Sequence, residues 1–311
     1  VYIRSAVDYQ AMIKLHLLLV FALAIAAIPE SLTGVHYIRD AFRMVLGGTA
    51  PHFMDPRLGL ERAFGPFEHP ILMGVFCASA LSGAILVLGK GAVSLGNIKR
   101  AGLVGIAAIT TVSGGPIVAY VLQAGLLGWE YITRAIRGRW QIAMAGFAFV
   151  YVAIDMLSNR TPILVFVQYL TFSPHSAYNR VNIWNYGTAE IARHPIVGIG
   201  LADWERASWM SPSVDNFWLL TAMRYGLPAL ILLLAAIAAL LWSLSRKKTN
   251  DPVFQRCRLA WGITMVSLTV VGLTVHFWNA IFVLFFFLIG SGAWMATVPS
   301  QRHPAPKRGS S

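Results

Sequence analysis

Apolar runs and short polar or basic breaks alternate along this chain. The runs fall at Met12 to Ile28, Pro70 to Leu88, Ala101 to Val112, Pro116 to Ile132, Trp140 to Leu157, Leu227 to Leu244, Leu259 to Val275 and Ala280 to Val298. A helix needs roughly 20 such residues to cross the ~30 Å hydrocarbon core of a bilayer, so the pattern predicts about eight transmembrane helices. The third and fourth come from one long run divided at Ser113-Gly114-Gly115-Pro116, where Gly-Gly-Pro stops a helix and permits a tight reversal. Two connectors, 29–69 and 158–213, are too long to be plain linkers. Long ordered loops are where membrane proteins place their sites. The second is extended to 226 by a short amphipathic helix, predicted over Phe217 to Met223 and capped by Asp215, that would lie on the outer membrane surface before the next span.

Composition agrees with a bilayer as solvent. Of 311 residues, 57% are hydrophobic and only 12% charged, with a mean hydropathy of +0.62; soluble domains carry about a quarter charged residues. The net charge of +12 invites a nucleic-acid partner until the charge is located. Placed on alternate sides of the predicted spans, 16 of the 25 cations share one side, from Arg4 and Lys14 through Lys90, Lys99 and Arg100, Arg134 to Arg139 and Arg246 to Arg258, to Arg302, Lys307 and Arg308. By the positive-inside rule that side is cytoplasmic and holds both termini. Merging the third and fourth spans would put the Arg134 to Arg139 cluster outside, which favours dividing them. The excess charge is therefore topological, and no nucleic-acid role is implied. The expected fold is a single all-α polytopic membrane domain over 1–311. The two cysteines, Cys77 and Cys257, make no disulfide framework.

The nine outer cations, Arg39, Arg43, Arg57, Arg62, Arg160, Arg180, Arg193, Arg206 and Arg224, are all arginine. Insertion bias does not distinguish lysine from arginine, whereas two-pronged binding of phosphate or carboxylate does. The competing explanation is an arginine-rich proteome, with the nine outer acids taking these cations in ordinary ion pairs. Within the second loop, Asn182 to Arg193 has helical spacing and ends at His194-Pro195. Gly198-Ile199-Gly200 follows as a turn, and Gly226 follows the apolar run after Asp215-Asn216. No outer Asp-x-Asp pair or His-carboxylate set has metal-ligand spacing, so no metal or other cofactor is expected.

These residues carry a resemblance. Arg180-Val-Asn-Ile-Trp184, His194-Pro-Ile-Val-Gly-Ile-Gly200, Asp215-Asn-Phe-Trp-Leu219 and Tyr225-Gly-Leu-Pro resemble the signature region of the bacterial O-antigen ligase and polymerase family. Arg62-Ala-Phe-Gly65, with Phe67 and His69-Pro70, is similar to an earlier segment of that family. The likeness covers about residues 57 to 245. Two departures stand out: Asp215-Asn216 occupies the place of a usual His-Asn, and Ser113-Gly114-Gly115 that of a frequent Ser-Arg-Gly. Family members have near a dozen spans, so the chain, which begins at Val1, reads as a member lacking N-terminal helices.

The resemblance implies glycosyl transfer at the outer face of the bacterial inner membrane. The donor would be a glycan on undecaprenyl pyrophosphate and the acceptor a sugar hydroxyl on lipid A core or another glycan. Arg180, Arg62 and Arg206 would hold the pyrophosphate, Asp215 or His194 would be the base, and Gly198, Gly200 and Gly226 would shape the turn. Each has a plainer explanation. Asp215 suits an N-cap, Arg180 an ion pair with Glu190 or Asp203, Arg62 one with Glu61 or Glu68, and His194 and His69 structural turns; Trp204, Trp209 and Trp218 suit an interfacial belt or a loop core. A lipid-linked glycan transporter and a scaffold of polysaccharide export are the alternative functions. The first would need charge near mid-bilayer, and the spans carry almost none.

Overall fold

The computed structural model describes residues 3–47, 54–159, 161–169 and 174–298; Arg160, Arg302, Lys307 and Arg308, counted in the charge argument, lie outside them. The described residues form α1 (Ala6–Thr33), α2 (Tyr37–Leu46), α3 (Pro70–Ala78) leading into a π-helical segment (Gly83–Leu88), α4 (Leu95–Ile109), α5 (Gly114–Thr133), α6 (Arg139–Leu157), α7 (Pro162–Tyr169), α8 (Pro174–Arg193), α9 (Phe217–Arg246), α10 (Pro252–Val271), α11 (Asn279–Ser291) and α12 (Ala293–Thr297). The chain is all-helical, with no strand among the described residues. Five stretches are long and apolar enough to cross a membrane: Ala6–Thr33, Pro70–Leu88, Arg139–Leu157, Phe217–Arg246 and Asn279–Thr297. The other three apolar runs lie largely in α4, α5 and α10, which pack among these helices. α4 has only 15 residues, α5 carries Gln123 and Glu130, and α10 opens with Arg256 and Arg258.

α10 lies against α5 and the π-helical segment, α3 against α4 and α5, and α1 against α4. Trp261, Leu268, Phe277 and Phe285 are fully buried where these helices meet. A π turn loosens the regular backbone ladder, which in lipid must find partners inside the protein. Here the Ser82 N–H donates to Gln123 Oε1 (3.1 Å), the Ser82 hydroxyl donates to the Ala260 carbonyl (2.9 Å), and Gln123 Nε2 donates to the Ala78 carbonyl (2.8 Å). α6 behaves differently. It is apolar on all sides, yet none of its residues is buried by the described protein. Phe147 and Phe149 are exposed, as expected of a helix whose solvent is lipid.

Two ends of the bundle are distinct. At one, Lys247 Nζ donates to the carbonyls of Met295 (2.9 Å) and Ala296 (2.6 Å), and Arg258 Nη1 donates to those of Leu244 (3.0 Å) and Lys247 (2.7 Å). Cations there cover open helix C-termini. The other end collects the C-terminus of α1, the 54–69 loop, the α4–α5 turn and the start of α9, which docks through the Phe217 N–H on the Gly272 carbonyl (2.8 Å).

The helix expected over Phe217 to Met223 is not a separate element. It runs on as α9 to Arg246, interrupted only at Gly226, and its N-cap is Asn216, whose Oδ1 accepts from the Leu219 N–H (2.9 Å). The amide one position later reaches the open backbone group, and Asp215 is left outside the cap. α8 likewise begins well before Asn182, at Pro174.

Candidate functional site

The loop between α2 and α3 is organised by a buried acid. Glu30, near the end of α1 and 1% exposed, accepts the N–H groups of Phe64 (3.0 Å) and Gly65 (3.2 Å) and lies 2.7 Å from His36 Nδ1. Backbone bonds from Glu61 to Ser31 (2.9 Å) and from Ala63 to Thr110 (3.0 Å) pin the same segment between α1 and α4. Arg62, between these two anchors, is thereby driven inward and is 7% exposed. Its Nη2 donates to Ser113 Oγ (3.0 Å) in the α4–α5 turn and its Nη1 points at Met54 Sδ (3.7 Å). Its Nε is buried and makes no hydrogen bond among the described residues. Burial and the nearby Arg57 lower its pKa to about 10, with Asp55 opposing, so it remains a cation at neutral pH. Neither Glu61 nor Glu68 takes it in an ion pair; Glu68 instead accepts from Asn279 Nδ2 (2.6 Å). A buried guanidinium held by neutral groups is electrostatically costly, and an incoming anion would relieve that cost.

Arg180 approaches from the second loop. It lines a narrow cleft together with Asp215, Trp184, Asn216 and Leu273. Burial lowers its pKa, Asp215 raises it and Arg57 lowers it. The carboxylates suggested as its plain partners are engaged elsewhere: Glu190 with Arg193 (2.6 Å) and Asp203 with Arg206. Arg57, which the sequence argument counted but did not single out, acts electrostatically on Arg62, His69 and Arg180 alike. It is presented by a tight hairpin in which Arg57 and Leu60 exchange both backbone bonds (2.9 and 3.0 Å) around Leu58 and Gly59, both at positive φ. Such a pair of positive φ values marks a two-residue reversal, and Leu58-Gly59 was the available signal. Arg57, Arg62 and Arg180 thus gather near Asp215 and Asp55. Asp215 itself accepts from Ser213 Oγ (3.3 Å).

Other candidates lie apart. His194 follows α8 by one residue, is half exposed, and sits 3.5 Å from Glu190 Oε1; at 1.5 Å per residue it is about 20 Å along the helix from Arg180. Arg206 pairs with Asp203, donates to the carbonyls of Trp204 and Met210 and stands 5.6 Å over the Trp204 ring. It braces its own loop around a small separate core that includes Ile183, Trp204, Met210, Val214, Leu219 and Met223. Trp218 is held in the bundle by a bond to the Thr269 carbonyl (2.8 Å), and Trp209 is exposed, stacked on Tyr178.

The glycine turn locks onto the break in α9. Ile199 and Gly200 N–H groups donate to the Met223 (2.8 Å) and Arg224 (2.9 Å) carbonyls, and Leu227 N–H to Pro195 (2.8 Å). A Cβ on Gly226 would stand 2.0 Å from the Ile196 carbonyl oxygen, and one on Gly198 2.5 Å from Arg224 backbone atoms. Both have positive φ, so only glycine allows this close approach.

Two histidines flank Trp278. His69 caps α3 by accepting the Ile71 N–H at Nδ1 (3.1 Å) and meets the indole edge-on; His276 stacks on it at 5.5 Å between centroids. Burial, then Arg62 and Arg57, lower the His69 pKa to about 4. Burial and Arg224 do the same for His276. Both are neutral at physiological pH.

The model of the O-antigen ligase family matches residues 100–234. No curated protein matches the chain. The matched stretch runs from α4 into α9 and holds Ser113, Arg180, the glycine turn and Asp215. Arg57, Arg62 and His69 precede it and His276 follows it.

Proposed function

We propose that this membrane protein, with its O-antigen ligase region at residues 100–234, transfers a glycan from undecaprenyl pyrophosphate to a sugar hydroxyl at the periplasmic face of a bacterial inner membrane. The observation that carries the reading is the meeting of Arg180 and Asp215 in one cleft, beside the buried cation Arg62 and its neighbour Arg57. The cleft is too narrow for a pyrophosphate, so the anion would sit at its mouth, between Arg180 and the loop bearing Arg57 and Arg62. Asp215 takes the proton of the acceptor hydroxyl as that oxygen attacks the anomeric carbon of the donor. The bond from that carbon to the pyrophosphate oxygen breaks, and its electron pair leaves with the undecaprenyl pyrophosphate. The arginines stabilise the charge that develops on the leaving group. In this scheme the eight apolar runs all cross the bilayer, α4, α5 and α10 being shielded by their neighbours, and both termini are cytoplasmic.

Passage of the glycan through the membrane has less support. Polar side chains deep in the bundle are engaged with one another or with backbone, His16 Nε2 with the Phe76 carbonyl (3.0 Å) and Ser82 with Thr264 (2.6 Å) among them. The deciding experiment incubates purified protein with lipid-linked glycan and acceptor and measures free undecaprenyl pyrophosphate. Release by the wild type, strongly slowed in Arg180→Lys and Asp215→Asn, is expected; glycan crossing the bilayer without such release would overturn the proposal.

A further inference from the structure

A cavity of about 280 Å³ is lined by Ser213 and Val214, the residues next to Asp215 and Asn216 of the Arg180 cleft. Its lining includes Asp203, Trp204, Ser213, Met223, Arg224 and His276, none of which has a place in donor binding. Ligand sites for drug-sized molecules span roughly 300–1,000 Å³, so this cavity suits one or two sugar rings rather than a lipid or a long glycan. Its chemistry is mixed in the way sugars require. Trp204, with its Nε1–H fixed on the Pro212 carbonyl (3.1 Å), and Met223 form an apolar wall. Arg224, His276 and Ser213 supply hydrogen-bonding groups around it.

Two details single out this cavity. His276 lines the cavity; its Nδ1 is closed off from solvent and makes no hydrogen bond among the described residues, so the other ring nitrogen is the one that a ligand in the cavity would reach. The ring cannot swing away freely, because it is stacked on Trp278. Burial and Arg224 keep this imidazole neutral, so its accessible nitrogen can donate to or accept from a sugar hydroxyl according to the tautomer. Ser213 lines the cavity while its hydroxyl donates to Asp215 (3.3 Å), so the wall of the cavity is one hydrogen bond from the carboxylate that faces the Arg180 cleft.

We propose that this cavity is the acceptor subsite, holding the terminal pyranose of the acceptor glycan against Trp204 with His276 and Arg224 bonded to its hydroxyls. The assignment rests on the glycosyl-transfer reading and divides the site into a donor side and an acceptor side that meet at residues 213–216. The saturation-transfer NMR signals of methyl glucoside, methyl galactoside, methyl rhamnoside and methyl N-acetylglucosaminide, recorded with the full-length protein in nanodiscs, provide the test. Pyrophosphate binding is titrated in parallel. At least one glycoside is expected to show transfer with the wild type. The signal should fall at least about tenfold in His276→Phe, which keeps the stacked ring, and in Ala202→Trp, which fills the exposed rim of the cavity. Pyrophosphate affinity should stay within about twofold in both variants. Absence of transfer to any glycoside in the wild type, or a signal that persists in both variants, would overturn the acceptor subsite. Failure of pyrophosphate to bind the wild type would instead strike the donor reading, whatever the glycosides do.

Discussion

Asp215 could have been read as the first residue of a helix and nothing more, and its neighbour decides the matter. Asn216 takes the cap, so Asp215→Asn removes a charge and a potential base without disturbing helix α9. As a general base Asp215 contributes roughly 10²- to 10⁴-fold. Asp215→Asn should lose that much turnover with an unchanged Tm, and Asp215→His should recover part of it; near-normal turnover in the Asn variant would remove Asp215 from the chemistry. Arg180→Lys keeps the charge but not the fork. A hydrogen bond to a charged group is worth about 1.5–3 kcal/mol, so release of undecaprenyl pyrophosphate should slow about ten- to hundredfold at an unaltered protein level, and full activity there would exclude Arg180. At this scale the sequence was partly legible. Arg62 and Arg180 stood out because their neighbours formed recognisable patterns. Arg57 did not, because its position depends on a reversal at Leu58-Gly59 and on the meeting of two loops far apart in sequence. His276 was hidden for the same reason: it stands in an ordinary-looking connector, and only the fold brings it beside Trp204 and Arg224 in the cavity wall.

Elements carry their own consequences, since the arginine site is assembled by how helices end. Gly226 combines φ 78° with ψ 171°, a region essentially closed to other residues, and a Cβ there would also strike Ile196. Gly200 has a similar φ of 64° with open space around it. Gly200→Ala should therefore cost only the backbone strain, about 1–2 kcal/mol, whereas Gly226→Ala should lower Tm by clearly more and separate the turn from α9. Equal losses measured by thermal unfolding in detergent would show that the turn is not docked as described. The N-terminus of α3 adds a pH dependence. The pKa of His69 is depressed to about 4 in the folded protein against about 6.5 in an unfolded chain. Its contribution to stability is thus fully present above pH 6.5 and is lost as the pH falls toward 4. His69→Asn retains a capping oxygen and should flatten part of the fall in Tm between pH 6.5 and 4; an unchanged profile would point to His276 or to the carboxylates instead. Helix identity was readable from apolar runs, but helix ends were not. The start of α9 was placed at Leu227 because Gly226-Leu-Pro228 looks like a boundary, whereas the docked turn supplies partners to that break and lets the helix pass through it.

For the whole molecule, hydropathy and charge answer different questions. Apolar length alone admits five spans, because it discounts α10 for Arg256 and Arg258 and α4 for its shortness. Under the positive-inside rule the chain would cross more often, so that the clusters at Lys99-Arg100, at Arg134 to Arg139 and at Arg246 to Arg258 come to one side. The contacts explain how both can hold: α4, α5 and α10 pack against several other helices, so they present less surface to lipid than α6, which touches the bundle core only through Trp140 near its start. The cations around the α9–α10 connection are also placed favourably, with Lys247 after α9 and Arg258 in α10 bonded to helix-end carbonyls at one face, while Arg57, Arg62 and Arg180 gather with the α1 C-terminus at the other. If α10 crosses, its two ends lie in different compartments. A reporter after Lys248 should then be cytoplasmic, and reporters near Ser176 and at Asn279 periplasmic. Cysteines introduced at the same three places should divide in the same way under a membrane-impermeant thiol reagent, with labelling at 176 and 279 and protection at 248; the native Cys77 and Cys257 are buried and should stay silent. Labelling of 248 together with 176 would place the basic face outside, and with it the whole arginine site on the wrong side of the membrane for a periplasmic transfer.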